Sequence, residues 1–308
     1  MKVFHGLASY QPVQPVALTI GSFDGVHHGH QEIISRLKAD AARLGCLSAI
    51  MTFTPHPRIV LNKDKENLRL LNTDLEKQEL MRALGIDLLF FMPFDQAFLS
   101  QSALTFLEKM LLEQMGMRHI VIGYDHRFGN NREGDLHFLQ SHASEFGYTV
   151  DEIPRQEVDD MAVSSTKIRQ ALEAGEIDLT NRMLGYHYLL TGKVVRGDQI
   201  GRTLGFPTAN LHLTDTYKQL PAYGVYACQA NIQGEWLNAM CYIGNRPTID
   251  GQKTNVEVNL LDWTGDLYGT ELQIRFVKQL RADVKFKDLS ALKAQIEADE
   301  LETRKLFG

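Results

Sequence analysis

The sequence predicts a two-domain chain in which a doubly wound α/β domain precedes an antiparallel β-barrel with a terminal helix. The length of 308 residues is about twice that of a usual single domain. From Val16 to Pro154, apolar runs alternate with amphipathic stretches, which is typical of βαβ units. After His187, short alternating runs separated by glycine turns indicate an antiparallel sheet. We therefore predict domains at residues 1–184 and 185–308.

The first domain contains five apolar runs with the length of buried strands. They are Val16–Ile20, Leu47–Phe53, Asp87–Met92, His119–Ile122 and Tyr148–Ile153. Stretches with helical length and spacing lie between them, at Gln31–Leu44, Asp74–Leu84, Ala103–Met115 and Asp135–Phe146. Thr73 and Glu76 have the spacing of a capping box, and Gly85 stands where a helix-ending glycine would. Ligands are expected at the carboxyl ends of these strands.

The second domain follows a helix at Thr166–Ala174 and a junction at Asp178–His187. Its predicted strands are Leu189–Val195, Val225–Ile232, Trp236–Ile243, Val256–Asp262 and Glu271–Val277. Gln233-Gly234 predicts a tight hairpin turn between two of them. The last predicted helix runs from Leu289 to about Lys305, with Leu289, Leu292 and Ile296 spaced to pack on the barrel.

Charge and cysteine content narrow the class of protein. Lysine and arginine number 32 against 38 acidic residues, so the net charge is −6, and the acidic excess lies before Tyr186. No global basic field exists for nucleic-acid binding. The N-terminus does not resemble a signal peptide, and no run of residues has the apolar length of a membrane span. This pattern predicts no membrane anchor. Three cysteines without CxxC spacing favour a reducing, cytoplasmic location.

The densest chemical signal is the segment Gly21–His30, between a buried strand and a helix. A glycine-rich turn leaves backbone N–H groups pointing at one spot, where the helix dipole also favours an anion. His27 and His30 add two donors and local positive charge for a phosphate transition state, and Gly29 permits close approach. The alternatives are solvated loop histidines or a metal site, although no cysteine or acidic cluster completes a zinc ligand set.

A second signal is the segment Ser164–Arg169 at the start of a predicted helix. Its hydroxyl groups can bind the free N–H groups of the helix or a phosphate, while Lys167 and Arg169 add positive charge. Taken alone, Ser-Ser-Thr before a helix is an ordinary cap. Combined with the histidine loop, it predicts the second half of a triphosphate clamp.

The second domain carries glycines at Gly192–Gly197 and Gly201–Gly205, spaced to suit a mobile loop that closes on a nucleotide. Walker A and protein-kinase signatures are both absent from the sequence. Thr208 and Asn210 offer oxygen ligands for Mg²⁺ or a phosphate. Glu257, in a predicted strand, is either a base for an acceptor hydroxyl or a solvent-facing strand residue.

The two anion-binding segments of the first domain resemble those of the nucleotidyltransferase superfamily, whose domain is Rossmann-like. More narrowly, Thr19–His27, Thr52–Pro57 and Gly123–Gly129 resemble the prokaryotic bifunctional riboflavin kinase/FAD synthetase (FMN adenylyltransferase) family. His126 departs from this pattern, which usually has phenylalanine there. The resemblance implies that His27 and His30 are catalytic. It also implies ATP or phosphate contacts at Gly21, Phe23, Asp24, Gly29, Ser164, Ser165, Thr166 and Arg169, and flavin contacts at Asp125, Arg127 and Phe128.

The second domain is similar to the riboflavin kinase domain of the same family. The similar segments are Leu204–Asn210, Pro221–Tyr226, Ile243–Thr248, Leu260–Asp262 with Gly265–Gly269, and Leu280-Arg281 with Lys285-Phe286. The likeness implies that Thr208 and Asn210 hold Mg-ATP and that Glu257 takes the proton of the ribityl 5′-hydroxyl. It further implies nucleotide contacts at Gly201 and Gly205 and flavin contacts at Arg246 and Arg281. Departures from the family pattern occur at Asn259, Asp283 and the segment Gly185–Tyr188.

The resemblance implies two ATP-dependent reactions with Mg²⁺ as cofactor. Riboflavin and ATP would give FMN and ADP in the barrel, and FMN with a second ATP would give FAD and pyrophosphate in the first domain. No nucleic-acid or membrane partner is expected. Two alternatives stay open: a protein in which only one half is active, and a flavin or nucleotide sensor without catalysis. Only an enzyme needs the Glu257 base as well as the pocket.

Overall fold

A computed structural model describes residues 1–61, 68–123, 126–153, 163–197, 200–248 and 251–308, with the side chains of residues 131, 200, 202, 246–248 and 251–253 left out. The chain divides into two compact units, Met1–Ser165 and Thr166–Gly308. A parallel sheet flanked by helices forms the first unit, and a closed antiparallel barrel with a terminal helix belongs to the second. The predicted fold class is confirmed. In the described part of the chain, no helix has the length and apolar character needed to cross a bilayer.

The sheet of the first unit has six strands, all paired in parallel, in the order β1-β4-β3-β2-β5-β6. The strands are β1 Lys2–His5, β2 Val16–Ile20, β3 Leu47–Thr54, β4 Leu88–Pro93, β5 Met117–Gly123 and β6 Thr149–Ile153. The five predicted strands are confirmed, with ends shifted by at most two residues. Strand β1 was not predicted, because it is a four-residue edge strand without a fully buried residue.

Helices connect these strands on both faces of the sheet. They are α1 His28–Leu44, α2 Pro57–Val60, α3 Asp74–Ala83, α4 Gln96–Leu99, α5 Ala103–Thr105 and α6 Leu136–Phe146. A π-helical segment, Phe106–Gln114, continues α5, and a short 3₁₀ turn forms at Asn130–Arg132. The predicted capping box of α3 is confirmed by reciprocal hydrogen bonds of 3.1 and 3.2 Å between Thr73 and Glu76. Gly85 follows with a φ of +75°, as a helix-ending glycine does.

The core of the first unit has two layers, one on each face of the sheet. Leu18 of β2 packs in one layer with Leu107 and Leu139, while Ala17 packs in the other with Ile34 of α1. Because β2 lies between β3 and β5, the direction of the strand order reverses there. Ligands of doubly wound sheets bind at this switch point. The Gly21–His30 loop follows β2 directly, so the fold places it at the expected crevice.

The second unit contains six antiparallel strands in the barrel order β10-β11-β8-β7-β12-β9. The strands are β7 Leu189–Val195, β8 Ala209–His212, β9 Gly224–Ile232, β10 Glu235–Thr248, β11 Gly251–Leu260 and β12 Glu271–Ala282. Its helices are α7 Ser165–Glu173, which begins at the last residue of the first unit, then α8 Ile177–Leu184, α9 Ile200–Leu204 and α10 Leu289–Phe307. Strand β8 was missed because it is short and follows directly after the glycine-rich segment. Helix α8 occupies the predicted junction.

The hairpin turn and the terminal helix test two finer predictions. Gln233 and Gly234 both have positive φ, +55° and +95°, which confirms a tight turn. Leu289, however, is 64% exposed, so its predicted packing on the barrel is wrong. It is the first residue of α10, directly after the N-cap Asp288, whereas Leu292 and Ile296 are half-buried and the fully buried stripe begins only at Asp299. That stripe includes the polar residues Asp299 and Thr303.

Candidate active sites

The Gly21–His30 loop makes an unusual backbone path between β2 and α1. Phe23 and Val26 have φ values of +47° and +39°, a left-handed region that costs a β-branched residue such as Val26 free energy. His27 is the N-cap of α1, yet its side chain does not cap the helix. The N-cap side chain therefore leaves the first-turn N–H groups of α1 to other acceptors, and an anion is one such acceptor.

The two histidines of the loop stack on each other. Their ring centroids are 3.8 Å apart with an angle of 17° between the planes, and Phe23 meets the His30 ring edge-on at 5.2 Å. Among the described residues, the buried Nδ1 atoms of His27 and His30 have no hydrogen-bond partner. Buried polar atoms are normally paired. These two atoms are available to a ligand.

The surroundings of the histidines keep both rings neutral at neutral pH. Burial lowers the pKa of His27 to about 4, aided by His28 and opposed by Asp24. Burial, followed by the charges of His27 and Lys77, lowers the pKa of His30 well below its usual range. Both rings are thus hydrogen-bond donors without positive charge in the chain without ligand, contrary to the predicted local charge.

This neutrality predicts a pH-dependent stability. Because the pKa of His27 is about 4 in the folded chain and about 6.5 when unfolded, the unfolded chain binds more protons below pH 6.5. Stability from this residue is present above that pH and is lost as the pH falls toward 4. Urea denaturation followed by circular dichroism should show the wild type losing about 2 kcal/mol more than His27→Asn between pH 7.5 and pH 5. Equal losses would contradict the neutral ring.

Asp24 and Ser165 join the loop to the predicted second half of the clamp. Asp24 is buried, and its Oδ1 accepts a hydrogen bond of 2.7 Å from the Leu71 N–H. The Ser165 hydroxyl donates to the Asp24 carbonyl oxygen at 2.8 Å, so the first residue of α7 is held beside the histidine loop. Ser164 precedes this helix, and Thr166 and Arg169 lie in its first turns. Their contacts with ATP stay predictions.

The sequence did not point to one buried residue beneath this loop, Lys77 of α3. Its side chain is 4% exposed. The ammonium group donates to the Ser22 carbonyl oxygen at 2.8 Å and to Thr52 Oγ1 at 3.3 Å. The capping box at Thr73 is a signal for the start of α3, but nothing in the local pattern shows which face of that helix meets the loop.

The predicted flavin segment of the first unit contains an ion pair and an aromatic series. Arg127 pairs with Asp135 at 2.7 Å. The Phe128 ring lies 5.5 Å from Phe106 and 5.9 Å from Phe138, measured between centroids. Phe106 is buried, whereas Phe128 and Phe138 are half-buried and offer an apolar surface that suits a planar ligand. Asp125, also predicted here, lies outside the described residues.

In the second unit, Glu257 lies in the wall of a cavity of about 310 Å³. The residue is 8% exposed, so the alternative of a solvent-facing strand residue is excluded. Its Oε2 accepts a hydrogen bond of 3.0 Å from Thr208 Oγ1, and its Oε1 accepts one of 3.2 Å from Asn255 Nδ2. Asn210 is the cross-strand partner of Glu257 between β8 and β11. The barrel therefore brings the three predicted polar residues Thr208, Asn210 and Glu257 together.

Two glycines of the predicted nucleotide loop lie too close to their neighbours for a side chain. A Cβ atom at Gly197 would collide with the Asn210 side chain, and one at Gly201 would collide with the Phe206 carbonyl oxygen. The Phe206 N–H also donates to the Gly201 carbonyl at 2.8 Å. Gly197 thus packs directly against the Asn210 side chain, and Gly201 against the Phe206 backbone.

Arg281, a predicted flavin contact, lines the same cavity and is held there by Asp299 of α10. The Arg281 Nε lies 3.0 and 3.1 Å from the two Asp299 carboxylate oxygens, and an Nη atom lies 2.9 Å from one of them. Gln295 Nε2 donates to Asp299 Oδ1 at 2.9 Å. Asp299 was missed, although its i+3 spacing from Ile296 was a usable signal. The side chain of Arg246 lies outside the described part.

Two of the residues at which the sequence departs from the family pattern, Asn259 and Asp283, also line this cavity. Asn259 Nδ2 donates to the Pro207 carbonyl at 2.7 Å, directly before Thr208. Tyr242 donates its hydroxyl hydrogen to Asp283 Oδ1 at 3.3 Å, and all three of Asn259, Tyr242 and Asp283 line the cavity.

A second cavity, of about 280 Å³, shares Thr208 with the first. Pro207, Trp263, Asp266 and Tyr268 contribute to its lining. Thr208 therefore stands between two cavities of similar size, each with aromatic side chains in its wall.

Comparison with known proteins gives these sites a context. Residues 10–167 match the FAD synthetase family, and residues 184–307 match the riboflavin kinase family. Proteins from Pseudomonas fluorescens and Escherichia coli K12, both named bifunctional riboflavin kinase/FMN adenylyltransferase, are 38% and 36% identical to the chain. The alignments cover 99% and 100% of this chain and 98% of each relative. The chain belongs to this bifunctional family.

Membership of the riboflavin kinase/FMN adenylyltransferase family confirms the predicted enzyme class and the two steps of flavin cofactor synthesis. A crystal structure described as a macrolide-efflux protein from Streptococcus pneumoniae is also similar. It is 30% identical, with a TM-score of 0.86 over 98% of both chains. The likeness in fold to this structure therefore extends over both units of the chain.

The Arg281–Asp299 pair predicts a selective effect on the riboflavin kinase step. Asp299→Asn removes the carboxylate that orients Arg281 and leaves a partly buried cation without its partner. We expect the KM for riboflavin to rise about tenfold, with FAD formation from supplied FMN unchanged. The control is Glu302→Gln, on the same helix as Asp299, which breaks the exposed ion pair between Glu302 and Lys278 of β12. An unchanged riboflavin KM in Asp299→Asn, or an equal rise in the control, would contradict the orienting role.

Proposed function

We propose that the barrel domain transfers the γ-phosphoryl group of ATP to riboflavin, giving FMN and ADP. The first domain then transfers the adenylyl group of a second ATP to FMN, giving FAD and pyrophosphate. The observation that carries the first assignment is the position of Glu257, a buried carboxylate in a cavity wall that is hydrogen-bonded to Thr208. The stacked histidines, whose buried Nδ1 atoms have no hydrogen-bond partner among the described residues, carry the second assignment.

In the kinase step, positioning and charge stabilisation supply most of the catalysis, because phosphoryl transfer needs little covalent help. Glu257 accepts the proton of the ribityl 5′-hydroxyl as that oxygen bonds to the γ-phosphorus, and the bond to the bridging oxygen of ADP breaks. The hydrogen bonds from Thr208 and Asn255 fix the carboxylate for this role. Arg281 and Arg246 hold the flavin.

The divalent ion of this step is Mg²⁺, bound with ATP. Thr208 and Asn210 supply neutral oxygen ligands, and the neighbouring Glu257 carboxylate is also a hard oxygen donor. This donor set suits Mg²⁺, which takes a few protein oxygens together with phosphates and water. The ion would neutralise the charge of the phosphates as the transfer proceeds.

Thr208 lines both cavities, which supports the assignment of a different substrate to each of them. The phosphoryl donor and the acceptor must meet at the reacting phosphorus, so we assign them to opposite sides of Thr208. Riboflavin would occupy the cavity with Glu257 and Arg281, and adenosine the one with Trp263 and Tyr268. Gly201 and Gly205 belong to the loop beside the nucleotide.

In the adenylyl step, an FMN phosphate oxygen attacks the α-phosphorus of ATP and pyrophosphate leaves. No protein nucleophile is needed, because the FMN phosphate is itself the nucleophile. His27 and His30 donate hydrogen bonds to the charge that grows on the α-phosphate. The residues around the bound ATP would be Gly21, Phe23, Asp24, Gly29, Ser164, Ser165, Thr166 and Arg169. Asp125, Arg127 and Phe128 would hold FMN.

We assign residues 1–184 to FAD synthesis and residues 185–308 to riboflavin phosphorylation. The matched family ranges, which end at residue 167 and begin at residue 184, support this division. A cytoplasmic location is proposed as well, since Cys46, Cys228 and Cys241 are all unpaired thiols.

Separate assays of the two steps test this proposal. The purified chain is given riboflavin with Mg-ATP in one reaction and FMN with Mg-ATP in another, and the flavins are resolved by chromatography. Formation of FMN in the first and FAD in the second supports both assignments. Failure of one reaction by a folded protein would favour the alternative with one active half, and failure of both would favour a sensor.

A further inference from the structure

Lys77 is a buried cation directly beneath the histidine loop. It lies in the first turns of α3, after the capping box at Thr73. Its ammonium group donates to the carbonyl oxygen of Ser22, the residue before the left-handed Phe23. Thr52 Oγ1, at the other contact of the ammonium group, donates in turn to the same Ser22 oxygen at 3.2 Å. These bonds join α3 and β3 to the loop.

The charge of Lys77 is not neutralised by an ion pair within the described ranges of the chain. Both named partners of its ammonium group are neutral oxygens. Asp74 and Asp24 act on it only as more distant charges, and Asp24 Oδ1 is bound to the Leu71 N–H. A buried, unpaired charge costs several kcal/mol, which an apolar side chain of similar volume avoids. Packing alone therefore does not account for a lysine at this position.

A polyanion bound at the loop would compensate this charge. The loop also needs restraint, because Phe23 and Val26 have left-handed backbones that persist only where the surrounding structure fixes them. A hydrogen bond from a charged donor to the Ser22 carbonyl is such a restraint, and it is stronger than a bond between neutral groups. The ammonium group of Lys77 thus restrains the backbone of the loop and also makes the electrostatic potential there more positive.

We propose that Lys77 is a positioning residue for adenylyl transfer, which fixes the Ser22-Phe23 turn and supplies the positive charge against which the ATP phosphates are held. This inference rests on the proposed FAD synthesis in the first domain. Lys77 acts through the loop backbone and through the electric field of its ammonium group, so contact with the reacting atoms is not required.

The test compares Lys77→Met with Lys77→Arg and with the control Lys38→Met. Methionine keeps the volume and removes the charge, while Lys38 is an exposed lysine that also donates to a backbone carbonyl, that of Leu84. We expect Lys77→Met to lower kcat/KM for ATP in FAD formation about 100-fold and to weaken pyrophosphate inhibition similarly. The KM for FMN and the riboflavin kinase activity should change less than about twofold, and Lys77→Arg should recover most of the loss.

Three outcomes would overturn the inference: FAD formation retained in Lys77→Met, an equal loss in the Lys38→Met control, or a loss in both Lys77 variants that raises the KM for FMN as much as that for ATP. If Lys77→Met also loses kinase activity, the ratio of FAD formation to kinase activity is measured in Lys77→Gln. A ratio equal to that of the wild type would then overturn the inference. A wild type that makes no FAD from FMN and ATP contradicts the proposed function itself, whereas a normal wild type with a normal Lys77→Met contradicts only this inference.

Discussion

His30→Ala will lower the rate of conversion of FMN to FAD by about 10³-fold and leave phosphorylation of riboflavin within about twofold of the wild type. His30 stacks on His27, and its buried Nδ1 has no hydrogen-bond partner among the described residues. Loss of one such donor to a charged transition state lowers kcat by about 10²- to 10³-fold. Here, removal of the ring also leaves His27 without its stacking partner, so we expect the upper end of that range. The rate of FAD formation from supplied FMN and Mg-ATP measures the effect.

His28→Ala is the matched control for this experiment. His28 lies in the same loop-to-helix segment but is exposed to solvent. We expect it to keep both activities. If His30→Ala lost FMN formation and FAD formation to the same extent in a folded chain, the histidine loop would not be specific to adenylyl transfer.

Glu257→Gln will lower riboflavin phosphorylation by about 10²- to 10⁴-fold, the usual contribution of a positioned general base. The amide has nearly the same shape as the carboxylate and can remain between Thr208 and Asn255, but it cannot take a proton. FAD formation from supplied FMN should not change, because the first domain contains its own site. Initial rates of FMN and FAD formation, measured separately, provide the comparison.

The control for Glu257→Gln is Glu271→Gln, an exposed acidic residue at the start of another barrel strand, β12. It should retain full kinase activity. A Glu257→Gln protein that phosphorylates riboflavin at the wild-type rate would show that the carboxylate is not the base and would leave only its hydrogen bond to Thr208 as its role.

Most of the fold could be predicted because its strongest elements carry local signals. The run Val16–Ile20 is buried at every position, as a central parallel strand requires. Strands β1 and β8, four residues each, are too short for a periodicity to stand out. The π-helical segment Phe106–Gln114 has apolar residues at helical spacing, so its helical character was predictable but its wider turn was not.

The sites were predictable to the extent that their residues are adjacent in sequence. His27 and His30 follow one glycine-rich turn, and Thr208 with Asn210 follows another. Lys77 and Asp299 contact those sites from helices distant in sequence, 55 residues from Ser22 and 18 residues from Arg281. Such contacts depend on how helices pack, which local patterns do not specify.

The ionisation state of the histidines could not be predicted from the sequence for a related reason. A histidine pair beside phosphates suggests positive charge, but burial lowers the pKa of each ring, and the charge of His27 lowers the pKa of His30 further. Burial depends on the folding of the whole loop around Phe23. The buried positive charge beneath the loop belongs to Lys77 instead.

The division of labour between the domains is tested most directly by the flavins formed from riboflavin and Mg-ATP with the wild type, His30→Ala and Glu257→Gln, compared side by side by chromatography. We predict FAD from the wild type, FMN alone from His30→Ala, and unchanged riboflavin from Glu257→Gln. The same flavin composition from both folded variants would contradict the assignment of one reaction to each domain.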